Sequence, residues 1–175
     1  ILAGGTIEPR KNWPTLLRIF AQMKDIYVNP ACAGRGADAS APLTLAIFGK
    51  RGWLDEDVFR VAEDLELGAR AKFLDRVPLE DLIALYNSAA VLAHPSFYEG
   101  FGLTPLEAMA CGAPVVVADT GALPEVVGDA GLTAPPLDIE LWIELLRLVL
   151  QDPERRAKMV QLGFEQAAKF SIERM

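Results

Sequence analysis

The chain has 175 residues, 51% hydrophobic and 23% charged, with a net charge of -7. That length suits one domain able to bury most of its apolar surface, and the acidic balance argues against a nucleic-acid binder, which needs a basic footprint. A single histidine cannot build the usual zinc constellations, and two cysteines, Cys32 and Cys111, are too few for a disulfide framework and fit a reducing compartment.

Taken in chain order, residues 1–4 (ILAG) read as a strand, and 12–24 as a helix. Leu16, Leu17, Ile19, Phe20 and Met23 form the apolar face of that helix, and Asn12 is its cap. Residues 29–42, NPACAGRGADASAP, have the composition of a mobile loop. A strand over 43–48, a helix over 54–67, a strand over 71–74, a helix over 79–89 and a strand over 90–93 follow. After the stretch HPSFYEGFGL comes a helix containing TPLEAMA, then strands over 115–118 and 131–133. Helices over 139–150 and 153–170 close the chain. Cys111, between a helix and a strand, reads as a buried thiol. No apolar run approaches the ~20 residues that span a bilayer. A chain opening inside a strand reads as a piece whose natural start lies upstream, by roughly 170–190 residues for a second domain.

Short apolar strands alternating with helices predict an α/β fold, a Rossmann-like parallel sheet with helices on both faces, as one domain over 1–175. Ligands of such sheets sit beyond the carboxyl ends of the strands. The loops 4–12, 49–53, 75–78, 94–104 and 119–125 are therefore the candidates.

The loop 94–104 is the most telling. Glycine at 100 and 102 lets backbone approach a ligand closely, and the next helix offers free amides and a dipole suited to an anion. Pro105 in its first turn removes no needed donor. Glu99 and Glu107 bracket the turn, placed to accept hydrogen bonds from hydroxyls. Singly, Glu107 reads equally as a solvated helix residue and Glu99 as a cap or loop salt bridge. Arg10 and Lys11, past the first strand, are cations at a helix start that disfavours them, which points to an anionic ligand. Lys50 and Arg51 either line the same cleft or form a solvated turn. Asp55-Glu56-Asp57 reads as the acidic first turn of a helix rather than a metal site. His94, beside Pro95, reads as an ordered loop residue rather than a base.

The string PSFYEGFGLTPLEAMACGAPVVVADTGALPEVVGDAGL closely resembles the carboxyl-terminal domain of family 4 retaining glycosyltransferases, which have the GT-B fold. The resemblance includes the E-x7-E spacing from Glu99 to Glu107 and extends to GGTIEPRKN, RVPLEDLIALYNSA and FSIERM, nearly the whole chain. It implies that Glu107 holds the ribose of a nucleoside-diphosphate sugar and that Glu99 faces the donor sugar. Gly100, Phe101, Gly102 and Leu103 would hold the diphosphate or adjoining sugar through their backbone. Many relatives carry Gly-Arg, four residues, then Lys. Here Thr6 stands at the Arg position and Lys11 keeps the Lys, so Lys11, helped by Arg10, would neutralise the leaving diphosphate. Arg76 and Val77 stand where relatives place backbone around the base. Glu125 matches a family position and reads as structural, holding the loop over Gly121.

The resemblance thus implies hexosyl transfer with retention, needing no metal or other cofactor. The other domain would supply the acceptor site and any peripheral contact with the inner face of the plasma membrane. The setting it implies is cytoplasmic, in the making of cell-envelope polysaccharide or glycolipid. TIEPRKN is similar to stretches in bacterial mannosyltransferases, so GDP-mannose is the leading donor. The rivals are a nucleotide-binding module that transfers nothing and a GT-B epimerase or phosphorylase.

Overall fold

The computed structural model describes residues 1–36, 38 and 40–170, so the end of FSIERM, 171–175, lies outside the described residues. Strand β1 (Leu2–Gly4) lies in the middle of a six-stranded sheet with β2 (Leu45–Phe48), β3 (Ala71–Leu74), β4 (Leu92–His94), β5 (Val115–Ala118) and β6 (Leu132–Ala134), in the order β3-β2-β1-β4-β5-β6. Every pairing is parallel, with Leu2 opposite both Ala46 and Leu92, and Leu92 opposite Val115. The apolar content follows position. β1, β4 and β5 are buried along their whole length, whereas β2 alternates and the edge strand β3 has no fully buried residue. Central strands covered on both faces need continuous apolar runs.

Helices α1 (Trp13–Ala21), α2 (Glu56–Asp64) and α6 (Ile139–Gln151) pack together, α1 touching both of the others. α4 (Leu103–Ala110) packs against α3 (Leu79–Ser88), α5 (Leu123–Val127) and α7 (Pro153–Ala168). The apolar face foreseen for α1 is entirely buried, together with Trp13. Among the described residues no helix is long and apolar enough to cross a membrane.

Several expectations need correction. The strand expected over 90–93 lies instead over Leu92–His94, so His94 is the buried last residue of β4 and not part of a loop. The segment 29–42 contains a 3-10 turn, Pro30–Cys32, whose Asn29 side chain accepts from the Ala31 N–H, and Cys32 is fully buried. Cys111 is only half-buried. The short helix α5 has no counterpart in the sequence reading, because five residues are too few to display a period.

Asn12 precedes α1 but does not cap it. Its φ of 57° puts it in the left-handed region, away from the extended geometry a capping side chain uses. The Nδ2 group instead donates to the carbonyls of Pro95 (3.1 Å) and Pro136 (2.9 Å), tying the loop after β1 to those after β4 and β6. Asn12→Gly keeps the left-handed backbone and removes both bonds. Loss of two bonds to main-chain carbonyls should lower unfolding free energy by roughly 1–3 kcal/mol in a urea titration. An Asn12→Gly variant as stable as wild type would show that the fork carries no weight.

Candidate functional site at the switch between β1 and β4

The strand order reverses between β1 and β4. One chain direction leads to β2 and β3, the other to β5 and β6, and the ligands of open parallel sheets sit beyond such a reversal. The loops leaving β1 and β4 carry Arg10 and Lys11 on one side and Glu99 on the other. Their side chains meet. Lys11 Nζ donates to Glu99 Oε1 at 2.6 Å, and Arg10 Nη1 to Glu99 Oε2 at 2.9 Å and to the Tyr98 carbonyl at 3.2 Å. Arg10 Nε also pairs with Glu8 at 2.6 Å. The result is an alternating chain of charges, Glu8, Arg10, Glu99 and Lys11.

Local geometry makes this cluster. A single 3-10 turn, Pro9–Lys11, brings the Lys11 side chain back to the end of β1. Its stem passes over Gly5, whose φ of 134° suits glycine and where a Cβ would sit 2.7 Å from Lys11 Cε. On the other side, the Phe97 N–H donates to the Arg10 carbonyl at 2.8 Å, stitching the two loops together. Lys11 and Glu99 are both buried, while the Arg10 side chain is 46% exposed.

His94 adds a third partner, its Nε2 lying 3.1 Å from Glu99 Oε1. A carboxylate oxygen there requires Nε2 to carry the proton. Ser96 Oγ lies 3.2 Å from the same nitrogen, and Nδ1 is buried with no hydrogen-bond partner among the described residues. Burial lowers the pKa of His94, with the cations Lys11 and Arg10 adding to the effect and Glu99 opposing it. For Glu99, burial alone would favour the neutral acid. Hydrogen bonds from His94 and Lys11, with the Lys11 charge, outweigh it and hold the carboxyl far below the usual range. The imidazole is neutral and the carboxylate ionised.

The remaining expected residues fall in three places. Gly100, Phe101 and Leu103 are exposed at the mouth of α4, and Gly102 is the buried residue just before it. Gly102 needs its glycine, with φ at 100° and a virtual Cβ 2.9 Å from Leu123, whereas Gly100 faces open space. Thr6 is half-buried, and its carbonyl accepts from Trp13 Nε1 at 3.3 Å. Glu107 is an exposed residue of α4 whose Oε2 accepts from the Tyr86 hydroxyl at 2.9 Å. Arg76 and Val77 lie apart from the ion cluster. With Arg35, Asp75 and Asp81 they line an open cleft of about 810 Å³ beside β3 and α3.

Arg51 does not join the ion cluster. Its Nε donates to Asp55 at 2.5 Å and its guanidinium lies 4.7 Å above the Phe59 ring. Glu56 and Asp57 form the first turn of α2, and Asp57 pairs with Arg60. The loop over Gly121 is held not by the exposed Glu125 side chain but by the backbone of Glu99, whose carbonyl accepts from the Ala122 N–H at 3.1 Å, and by Thr120 Oγ1 donating to the Ser96 carbonyl at 2.7 Å. Ser96 and Tyr86 escaped the sequence reading, and Asn12 entered it only as a helix cap. Only Tyr86 left a trace, a phenol set within the apolar face of a helix.

Known proteins resemble this chain along nearly its whole length. The family model described as glycosyl transferases group 1 matches residues 1–166. O-antigen chain mannosyltransferase B of Escherichia coli is 39% identical over 169 residues, covering 97% of this chain and 41% of that protein. The D-inositol 3-phosphate glycosyltransferase of Corynebacterium efficiens is 42% identical over 174 residues, covering 95% and 38%. The chain thus spans about two fifths of the length of these curated relatives. Among solved structures, Anabaena HepE in complex with UDP and glucose superposes with a TM-score of 0.76 at 23% identity, over 96% of this chain and 43% of that one. The Rossmann-like sheet is that of GT-B glycosyltransferases.

The coupled charges make stability depend on pH in two steps. His94 and Glu99 both have folded pKa values below their ordinary ones, so the unfolded chain binds more protons and acid destabilises the fold. Stability should begin to fall as pH drops below the ordinary histidine value of 6.5 and fall again below the ordinary glutamate value of 4.5. His94→Gln should flatten the first step and keep the second, measured as urea midpoints between pH 8 and 3. An unchanged first step in that variant would mean that His94 is not the group responsible.

Proposed function

Since the chain belongs to the glycosyl transferases group 1 family, we propose that it is the donor-binding part of a retaining hexosyltransferase that uses a nucleoside-diphosphate sugar. The observation that carries this reading is the meeting of Lys11, Arg10 and Glu99 across the switch, beside the glycine-flanked mouth of α4. Breaking the bond between the anomeric carbon and the diphosphate puts negative charge on the leaving group. Stabilising that charge is an electrostatic task that preorganised donors perform best. Among the described residues Lys11 Nζ has one hydrogen-bond acceptor, Glu99, which leaves two of its three donors for phosphate oxygens. Arg10 is the exposed second cation, and the free amides of Gly102 and Leu103 supply neutral donors.

Glu99 and Glu107 divide the rest. Glu99 orients both cations and meets the donor sugar, while Glu107 accepts from the ribose hydroxyls. Thr6 offers a hydroxyl where relatives carry a guanidinium, and Arg76 and Val77 border the base. We favour GDP-mannose as donor, on the likeness of TIEPRKN to mannosyltransferases and on the mannosyltransferase relative. The UDP held by HepE supports a UDP-sugar as the second reading. Sugar transfer itself belongs to a protein of the relatives' full length, whose remaining part would supply the acceptor site.

Binding tests this directly. Calorimetric titration with GDP, UDP and ADP should give saturable binding that inorganic phosphate does not reproduce. Glu107→Ala should weaken nucleoside diphosphate and sugar nucleotide alike, by roughly 10- to 150-fold for lost hydrogen bonds to a charged group. Glu99→Ala should weaken the sugar nucleotide more than the nucleoside diphosphate, which loses only the orientation that Glu99 gives to Lys11 and Arg10. Equal losses of nucleoside diphosphate in both variants would refute the division.

No divalent cation takes part in this proposal. Asp55 and Asp57 face Arg51 and Arg60 at the start of α2. Chelation with EDTA, or Asp55→Ala with Asp57→Ala, should leave nucleotide binding unchanged. A strict requirement for Mn²⁺ in the same titration would overturn it.

A further inference from the structure

Tyr86 is the fully buried tyrosine of α3, and its one polar atom is spent on Glu107. Its ring is wedged edge-on against Phe48 of β2, centroids 5.8 Å apart at 87°. A buried phenol needs a partner, and here the partner is an exposed carboxylate of the neighbouring helix, 21 positions away in sequence. Burial, then the charge and hydrogen bond of Glu107, raise the phenol far above its usual range. The hydroxyl is therefore a permanent donor. Side chains on both helices lean toward the helix N-termini, the ends of α3 and α4 that follow the carboxyl ends of β3 and β4.

We propose that Tyr86 is a positioning residue for Glu107: by donating to Oε2 it fixes one carboxylate oxygen and leaves Oε1 as the acceptor offered to a ribose diol. The inference rests on the reading that Glu107 binds ribose. A free glutamate on an exposed helix face samples many rotamers, and ordering it on binding costs affinity. Tyr86 removes that cost beforehand, from a side chain that is itself immobile and does not touch the ligand.

Tyr86→Phe keeps the ring against Phe48 and deletes only the oxygen. The chain and this variant are titrated with GDP or UDP, whichever wild type binds more tightly, and with the 2′,3′-dideoxy form of the same nucleotide. The variant should lose about 3- to 20-fold for the ribonucleotide, a fraction of a full charged hydrogen bond. For the dideoxy form it should lose less than about twofold, since no diol is left to receive the oriented oxygen. Combined with Glu107→Ala, it should add no further loss. A merely structural tyrosine would weaken both nucleotides equally, and that result overturns the proposal. So does undiminished ribonucleotide binding by Tyr86→Phe while Glu107→Ala is impaired. If wild type binds no nucleoside diphosphate, or Glu107→Ala binds as wild type does, the ribose reading itself falls and this inference with it. Should Tyr86→Phe fail to fold, Glu107→Asp draws the exposed carboxylate one methylene back from Tyr86. It must then show the same ribose-specific loss, and equal loss on both nucleotides would again overturn the proposal.

Discussion

A buried carboxylate has to be met by cations, and the loops around the switch are arranged to satisfy that demand for Glu99. Burying an ion costs several kcal/mol, recovered only when the geometry is good and the remaining lone pairs are filled. Glu99 obtains three partners from two elements: Lys11 and Arg10 from the loop after β1, and His94 from the end of β4. Much of the local backbone follows. Gly5 clears the path of the Lys11 stem, and the left-handed Asn12 turns the chain into α1 immediately after the pair is made. The Glu99 carbonyl then holds the next loop through Ala122, so one residue organises three connections, by its side chain on one flank and by its main chain on the other.

The same arrangement explains how an anion could be received without large rearrangement. Two cations packed side by side repel each other. Glu99 between them screens that repulsion and keeps both near the mouth of α4. Its ionisation is secured by the hydrogen bonds it accepts, and the neutral imidazole contributes one of these without adding a third positive charge. The four charges of the cluster balance, Glu8 and Glu99 against Arg10 and Lys11.

How much of this the sequence made legible depended on whether a feature is local. The strands, the buried face of α1 and the acidic start of α2 were readable because each follows from a short window with a period or a propensity. Arg10, Lys11 and Glu99 were recognisable as chemistry-bearing residues from their loops and the family string. Their mutual pairing was not, since it spans 88 and 89 positions and depends on which strand lies beside β1. Asn12 misled for a related reason: an asparagine before a helix ordinarily caps with its side-chain oxygen, and here the left-handed backbone aims the side chain so that its amide donates to two distant carbonyls instead. His94 was placed in a loop because Pro95 follows it, although the proline marks the residue after the strand ends. Tyr86 stayed hidden because the hydrogen-bond partner of its phenol lies on another helix.

Gly4 illustrates how a missing side chain in the sheet reaches the rim. No left-handed φ requires glycine there, but the ring of Phe48 occupies the place where a Cβ would stand. That ring in turn is the surface against which Tyr86 rests. Position 4 is therefore governed by volume rather than torsion. An engineer who wished to install alanine at that point would first have to trim Phe48, and would thereby loosen the tyrosine whose hydroxyl steadies Glu107. The floor of the sheet and the candidate ribose acceptor form a single mechanical column, three side chains tall, with an empty position at its base.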